Sequence, residues 1–160
     1  MAAYTGNALN SRLPAPPPVV ETSLILKGRE KADMLLGRKG NDYLNGDLGN
    51  DKLTGGKGAD VFAFTTRAGK ANVDQIMDFA KEDIIVLASN VFTGLRKGGL
   101  SKDAFQVGTK AFQHDDRIIY NIKTGDVLYD ADGSGTKYAA VTFAHLTAGS
   151  ALAASDFLVF

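Results

Sequence analysis

The sequence predicts an all-β chain, a parallel β-roll of very short strands closed by an antiparallel β-sheet region with short helices. Three observations predict it. Nine-residue blocks repeat in strict register between residues 28 and 63. Longer strand-like runs separated by ordinary turns follow them. The chain then closes on Phe157-Leu158-Val159-Phe160, a run suited to a last core strand.

The blocks Gly37–Asn45 (GRKGNDYLN), Gly46–Thr54 (GDLGNDKLT) and Gly55–Ala63 (GGKGADVFA) share one plan. Each has Gly at positions one and four, Asp at six and a large apolar residue at eight: Leu44, Leu53 and Phe62. A block just upstream, Gly28–Leu36 (GREKADMLL), keeps Gly28, Asp33 and Leu35 but carries Lys31 at position four. Self-similarity at this period is the signature of stacked turns, and Gly/Asp nonapeptides mark the calcium-binding kind. A Gly/Asn-rich linker explains one such block, not three in register with a degenerate fourth.

The residue types explain the plan. The first six residues make a bend, where glycine admits positive φ and lets carbonyls approach an ion. The last three, such as Tyr43-Leu44-Asn45, make a short strand whose middle side chain points inward. Two blocks complete one turn, so a block stacks on the next but one. Asp33 then lies beside Asp51, and Asp42 beside Asp60, about 5 Å apart. Facing carboxylates at that spacing repel by about 3 kcal/mol at an effective dielectric near 20. A hard cation reverses the sign, and oxygen-only ligands with backbone carbonyls suit Ca²⁺ better than Mg²⁺ or zinc. With few apolar side chains per turn, the blocks are expected to fold only with calcium, binding and folding being one equilibrium.

Composition narrows the function. The 160 residues carry 18 Lys+Arg and 18 Asp+Glu, and no basic stripe suggests nucleic acid. A hydrophobic content of 44% supports a real core. With no cysteine there is no disulfide framework, zinc knuckle or thiol nucleophile. No ordinary signal peptide and no membrane span is visible. Residues 1–22, with Pro14, Pro16, Pro17 and Pro18, read as a flexible Pro-rich tail or linker, a tag-derived segment or a domain boundary. Residues 23–160 form the domain, with the roll over 28–63 and its C-terminal cap over 64–160.

In the cap, Val61–Thr65, Gln75–Phe79 and Asp83–Leu87 are expected strands. Arg117–Lys123 and Asp126–Asp130 form an expected hairpin, and Lys137–Ala144 a third antiparallel strand. Short helical pieces are expected near Ser101–Phe105 and Thr147–Ser155, each opened by a hydroxyl residue. Asp130-Ala131-Asp132-Gly133-Ser134-Gly135 begins like an EF-hand loop, but Val141 stands where a bidentate Glu is required, so a tight turn is preferred. Asp74 and Asp78 lie just past the last block, either completing an open half-site or standing as surface carboxylates. His114 and His145 are isolated, and zinc-protease, nucleophile-elbow and phosphate-loop motifs are missing, so no catalytic residue is assigned and no enzyme activity is expected.

The blocks, with VDQIMDFAKEDIIVL, DDRIIYNIKTGDVLYDADGSG and the ending ALAASDFLVF, resemble the RTX (repeats-in-toxin, hemolysin-type calcium-binding) family. The likeness is to the C-terminal β-roll domain of serralysin-type metalloproteases and to small alphaproteobacterial RTX proteins, over about Leu24 to Phe160. It implies a calcium-bound roll, an extracellular location, and type I export by an ABC transporter that reads an uncleaved C-terminal signal, here Asp156–Phe160. It also implies the metal ligands. One site takes carbonyls of Arg29, Lys31, Gly46 and Leu48 with Asp33 and Asp51; a second takes carbonyls of Arg38, Gly40, Gly55 and Lys57 with Asp42 and Asp60. Half-sites continue at Asp47, Gly49 and Asp51, and at Gly56, Gly58 and Asp60. Lys31 replaces one glycine, and Arg38 and Asp47 replace position-two glycines, so the first site departs further from the pattern.

The leading expectation is a secreted, non-enzymatic calcium-binding protein or domain that folds after export, when it meets extracellular Ca²⁺. The alternatives are a C-terminal export and folding tail of a larger secreted enzyme, such as a serralysin-like protease, and a calcium-dependent polysaccharide or cell-surface binding module.

Overall fold

A computed structural model describes residues 22–160. The reading of residues 1–22 as a tail lies outside the described residues but for Thr22. Seven strands build the roll: β1 (Ile25–Lys27), β2 (Met34–Lys39), β3 (Tyr43–Asn45), β4 (Lys52–Lys57), β5 (Val61–Phe64), β6 (Asp74–Ile76) and β7 (Ile84–Leu87). Odd and even strands go to opposite sheets, stacked β1-β3-β5-β7 and β2-β4-β6, all parallel. Leu44 pairs with Phe62 and Leu35 with Leu53, so each block rests on the next but one. Leu44, Leu53 and Phe62 are fully buried between the sheets, each the eighth residue of its block. Leu35 is half-buried because β2 is the outermost strand of its sheet.

Two details differ from the sequence reading. Strands β2 and β4 run on through Gly37 and Gly55 into the next bend, because Arg38 pairs with Gly56 and Lys39 with Lys57. The parallel stack also continues past Ala63. Strand β6 pairs parallel with β4 and β7 with β5, so the segments expected as ordinary cap strands add further rungs.

The C-terminal half joins both sheets. Strand β12 (Val141–Leu146) lies parallel to β6 and antiparallel to β11 (Asp126–Tyr129), which forms the expected hairpin with β10 (Ile118–Asn121). Strand β9 (Phe105–Val107) flanks β10 in parallel. Strand β13 (Phe157–Val159) returns to the other sheet, parallel to β7 and antiparallel to β8 (Gly98–Gly99). Phe143 meets Phe64 and Phe92 edge to face, at 5.0 and 5.1 Å between centroids, joining roll and cap in one core.

The helical expectations are corrected in part. Lys102–Ala104 is a single 3₁₀ turn capped by the Ser101 side chain. Thr147–Ser155 is a turn and not a helix, because Gly149 has φ +84° and Thr147 accepts from both the amide and the hydroxyl of Ser150. Only Ala154–Asp156 forms a 3₁₀ turn there, without a side-chain cap bond. The third antiparallel strand starts late, at Val141, since the Lys137 amide is held by Asp132 Oδ2.

Candidate metal centre

Position six of each block carries an aspartate that the stacking turns into a ladder. On one side of the roll, Asp51 Oδ1 accepts from the Asp33 amide at 2.7 Å. Asp74 Oδ1 then accepts from the Asp51 amide at 3.1 Å. On the other side, Asp42 Oδ1 takes the Leu24 amide, Asp60 Oδ1 the Asp42 amide and Asp83 Oδ1 the Asp60 amide, at 2.7, 2.8 and 2.9 Å. The step is 18 residues within the blocks and 23 into Asp74 and Asp83, because the connection between β5 and β6 is longer than a repeat allows. The carboxylate pairs expected from spacing, Asp33 with Asp51 and Asp42 with Asp60, are therefore brought together.

Each rung leaves oxygen to spare. Asp42, Asp51 and Asp60 are at most 1% exposed, and the Oδ2 of each has no hydrogen-bond partner. A buried, unpaired carboxylate oxygen is costly, and a cation is its ordinary companion. Carbonyls face these oxygens. A methyl placed on Gly37 would sit 2.2 Å from the Gly55 carbonyl oxygen and 2.3 Å from Asp42 Oδ2. One on Gly28 would sit 2.2 Å from the Gly46 carbonyl oxygen and 2.9 Å from Asp33 Oδ2. In each case a carbonyl oxygen and a carboxylate oxygen crowd the same side of the glycine, and only a residue without a Cβ lets them approach so closely. The residues present thus fit the ion. No cluster of three or more His, Cys, Asp or Glu suited to a metal occurs among the described residues, so backbone carbonyls must complete any shell.

The bends supply that backbone. Gly40, Gly49 and Gly58 have φ of +109°, +131° and +132°, and Gly56, Arg38 and Asp47 at position two have +104°, +102° and +68°. Stacking sets carbonyls of one bend against the next. Arg38 oxygen lies 2.1 Å from where a Gly56 methyl would be, Gly40 oxygen 2.1 Å from one on Gly58, and Lys31 oxygen 2.9 Å from one on Gly49. The Arg29 carbonyl accepts from the Leu48 amide at 3.0 Å and the Lys57 carbonyl from the Gly40 amide at 2.9 Å, each retaining a second lone pair. The first block departs from the rest, as its sequence does. Neither Arg29 nor Lys31 has positive φ, and the Arg29 amide occupies Asp33 Oδ2 at 2.7 Å.

Charge is poorly accommodated without an ion. Burial pushes Asp51, Asp60 and Asp83 above the usual carboxylate range, and Asp74 up to about 7, against the lowering effect of the amides they accept from. Asp83 escaped the sequence reading. Its signal was Asp78–Val86, a block with Asp at six and Ile85 at eight but no glycine. Asp78 is a cap, its two oxygens accepting from the Gly55 and Gly56 amides at 2.9 and 2.8 Å. Asn72 Oδ1 does the same for the Gly49 amide at 2.8 Å. Asp130 and Asp132 sit in the preferred tight turn, where Asp130 Oδ1 accepts from the Asp132 amide and Asp132 Oδ2 from the Lys137 amide. His145 pairs with Asp126 at 2.9 Å, and its strand lies beside β6, with Ala144 opposite Asp74 and His145 opposite Gln75.

Paired ladders of inward aspartates on glycine bends define a cation-binding parallel β-roll. Residues 28–62 match the family model of the RTX calcium-binding nonapeptide repeat, in 4 copies. Among solved structures, the chain is similar to the AlgE6R2 subunit of the mannuronan C5-epimerase of Azotobacter vinelandii. That match has 24% identity and a TM-score of 0.52, covering 87% of this chain and 88% of the other, and it concerns the fold. The AlgE6R3 subunit of that enzyme matches at 26% identity and TM-score 0.47, covering 88% and 81%. A comparison with curated proteins finds no match.

Proposed function

We propose that this chain is a secreted, non-enzymatic calcium-binding module whose roll assembles when extracellular Ca²⁺ fills the ladders. The unpartnered Oδ2 atoms of Asp42, Asp51 and Asp60, enclosed beside glycine bends, carry the reading. The lower site draws on Asp33, Asp51 and carbonyls of Arg29, Lys31, Gly46 and Leu48. The upper one draws on Asp42, Asp60 and carbonyls of Arg38, Gly40, Gly55 and Lys57. Calcium supplies charge neutralisation only. The chain's own groups set its place: the carboxylates by accepting amides one rung below, the bends by positive φ. An unfolded chain at low cytosolic calcium suits passage through a type I exporter reading Asp156–Phe160, and sites of extracellular modules typically bind at ~10⁻⁴–10⁻³ M. Circular dichroism of the metal-stripped chain tests this. Calcium should raise the β-signal cooperatively and equimolar magnesium should not; no response to calcium would sink the proposal.

One observation favours a second reading, an acidic-polysaccharide module. A cleft of about 420 Å³ brings Arg67, Tyr129 and Tyr138 together outside the nonads, the mix of cation and aromatic faces that sugar acids use. The similar AlgE6R2 subunit belongs to a mannuronan epimerase. Retarded migration through acidic polysaccharide gels, lost in Arg67→Ala, would support it; unchanged mobility would remove it.

A further inference from the structure

We propose that Asn45 and Gly46 form a succinimide-forming modification site that the folded roll keeps shut, so that a chain left unfolded ages irreversibly. The part calcium plays in this rests on the calcium-binding reading. Asn45-Gly46 joins β3 to the bend that follows, and no other asparagine of the chain precedes a glycine. Gly46 has no side chain to shield its amide or to hinder ring closure. In a flexible chain the Gly46 nitrogen loses its proton to solvent base and attacks Asn45 Cγ. The Cγ–Nδ2 bond breaks, and the side-chain nitrogen takes a proton from water and leaves as ammonia. Water then opens the ring at one carbonyl or the other, giving aspartate or isoaspartate.

The folded roll opposes each step. Asn45 is only 6% exposed. Its Nδ2 donates to Thr65 Oγ1 at 2.9 Å and its Oδ1 accepts from the Asp47 amide at 3.0 Å, so both ends of the side-chain amide are pinned. Its backbone is held in the ladder, opposite Lys27, with its carbonyl accepting from the Gly28 amide at 2.8 Å. Neighbouring bonds tie down the bend itself. Thr66 Oγ1 donates to the Asp47 carbonyl, and Asn72 donates to Thr66 Oγ1 at 3.1 Å while accepting from the Gly49 amide at 2.8 Å. Cyclisation therefore needs the bend after β3 to come away from the connection between β5 and β6. Isoaspartate would forbid its return. The main chain would run through the former side chain, longer by a methylene, and the Asn45 carbonyl would become a free carboxylate at a buried point. Block Gly46–Thr54 would then be displaced against Gly28–Leu36, where Leu35 must meet Leu53.

Incubation of the whole chain at mildly alkaline pH in calcium, in chelator and in urea tests this, with peptide mapping that separates aspartate from isoaspartate. Asn45 should convert faster than any other asparagine in urea and in chelator. In calcium its conversion should be at least about tenfold slower, because it waits on local opening. Another asparagine leading in urea, or Asn45 converting as fast in calcium as in urea, overturns the site. Slow conversion in both calcium and chelator, with fast conversion in urea, upholds protection by the fold and overturns calcium as its source. When urea-aged chain is returned to calcium and separated by size exclusion, isoaspartate should stay in the unfolded fraction. Isoaspartate equally abundant in the folded fraction overturns the claim that ageing is irreversible for the fold.

Discussion

Position two of the nonapeptide shows what a single side chain costs here. Arg38 is held at φ +102°, where a side chain is strained, while Gly56 on the next rung has nearly the same angle, +104°. Such strain costs about 1–3 kcal/mol, and glycine recovers it less the entropy it adds to the unfolded chain. Arg38→Gly should therefore stabilise the calcium-loaded protein by about 1 kcal/mol in urea unfolding; a loss of stability would show that the guanidinium itself is needed. Asp47, at φ +68°, sits in the left-handed well that aspartate tolerates. Its exposed pairing with Lys27 at 3.4 Å adds little, so Asp47→Gly should change stability by less than about 0.5 kcal/mol. Gly56→Ala should be the severe one. Its methyl would fall 2.1 Å from the Arg38 carbonyl at a positive φ, and we expect about 2 kcal/mol or more of destabilisation in the same assay.

At the level of elements, β13 separates two readings of the C-terminus that the sequence left joined. Phe157 and Val159 are 2% exposed and close the sheet beside β7, whereas Leu158 and Phe160 are 42% and 48% exposed. Phe157→Ala should cost about 3–5 kcal/mol. Leu158→Ser and Phe160→Ser leave the main-chain bonds of Phe160 to Leu87 and Ser89 in place, and should shift the urea midpoint little. If an exporter reads Asp156–Phe160, those two changes lower the secreted fraction while the purified fold stays intact; unchanged secretion would count against that signal. The roll itself was legible because its pattern is local: Leu44, Leu53 and Phe62 recur at a fixed interval and each is buried as the register demands. The hairpin of β10 and β11 was legible for the same reason, two apolar runs around Thr124-Gly125. The return of β13 to β7 was not, since nothing near Leu87 in sequence encodes a partner that arrives at Phe157. Asp83 was obscured by the longer connection after β5, which shifts the phase of the repeat without ending it, whereas Asp74 was already singled out as a candidate to complete a half-site.

For the whole molecule, burial of the ladder carboxylates couples folding to protons, and on the proposed reading to calcium as well. Asp51, Asp60 and Asp83 have carboxyl groups raised above their ordinary value, and Asp74 is raised to about 7, all chiefly because burial disfavours the ion. A carboxyl raised on folding contributes stability that is full below its unfolded pKa of about 4 and lost as pH rises through the folded value. The metal-free chain should therefore hold more β-structure at pH 5 than at pH 8, the part due to Asp74 being lost as pH rises through about 7. Asp126 is lowered instead, by the hydroxyl of Thr124 and then by His145, so its contribution fails only in acid, below that window. On the proposed reading calcium should invert the trend, because it would bind the ionised carboxylates and compete with their protons. Thermal melts of stripped and calcium-loaded protein across pH 5 to 8 should diverge, the calcium-induced rise in Tm growing with pH. A metal-free chain that gains stability as pH rises would mean that these carboxylates are not buried together as ladders, and the case for calcium as the roll's organiser would fall with them.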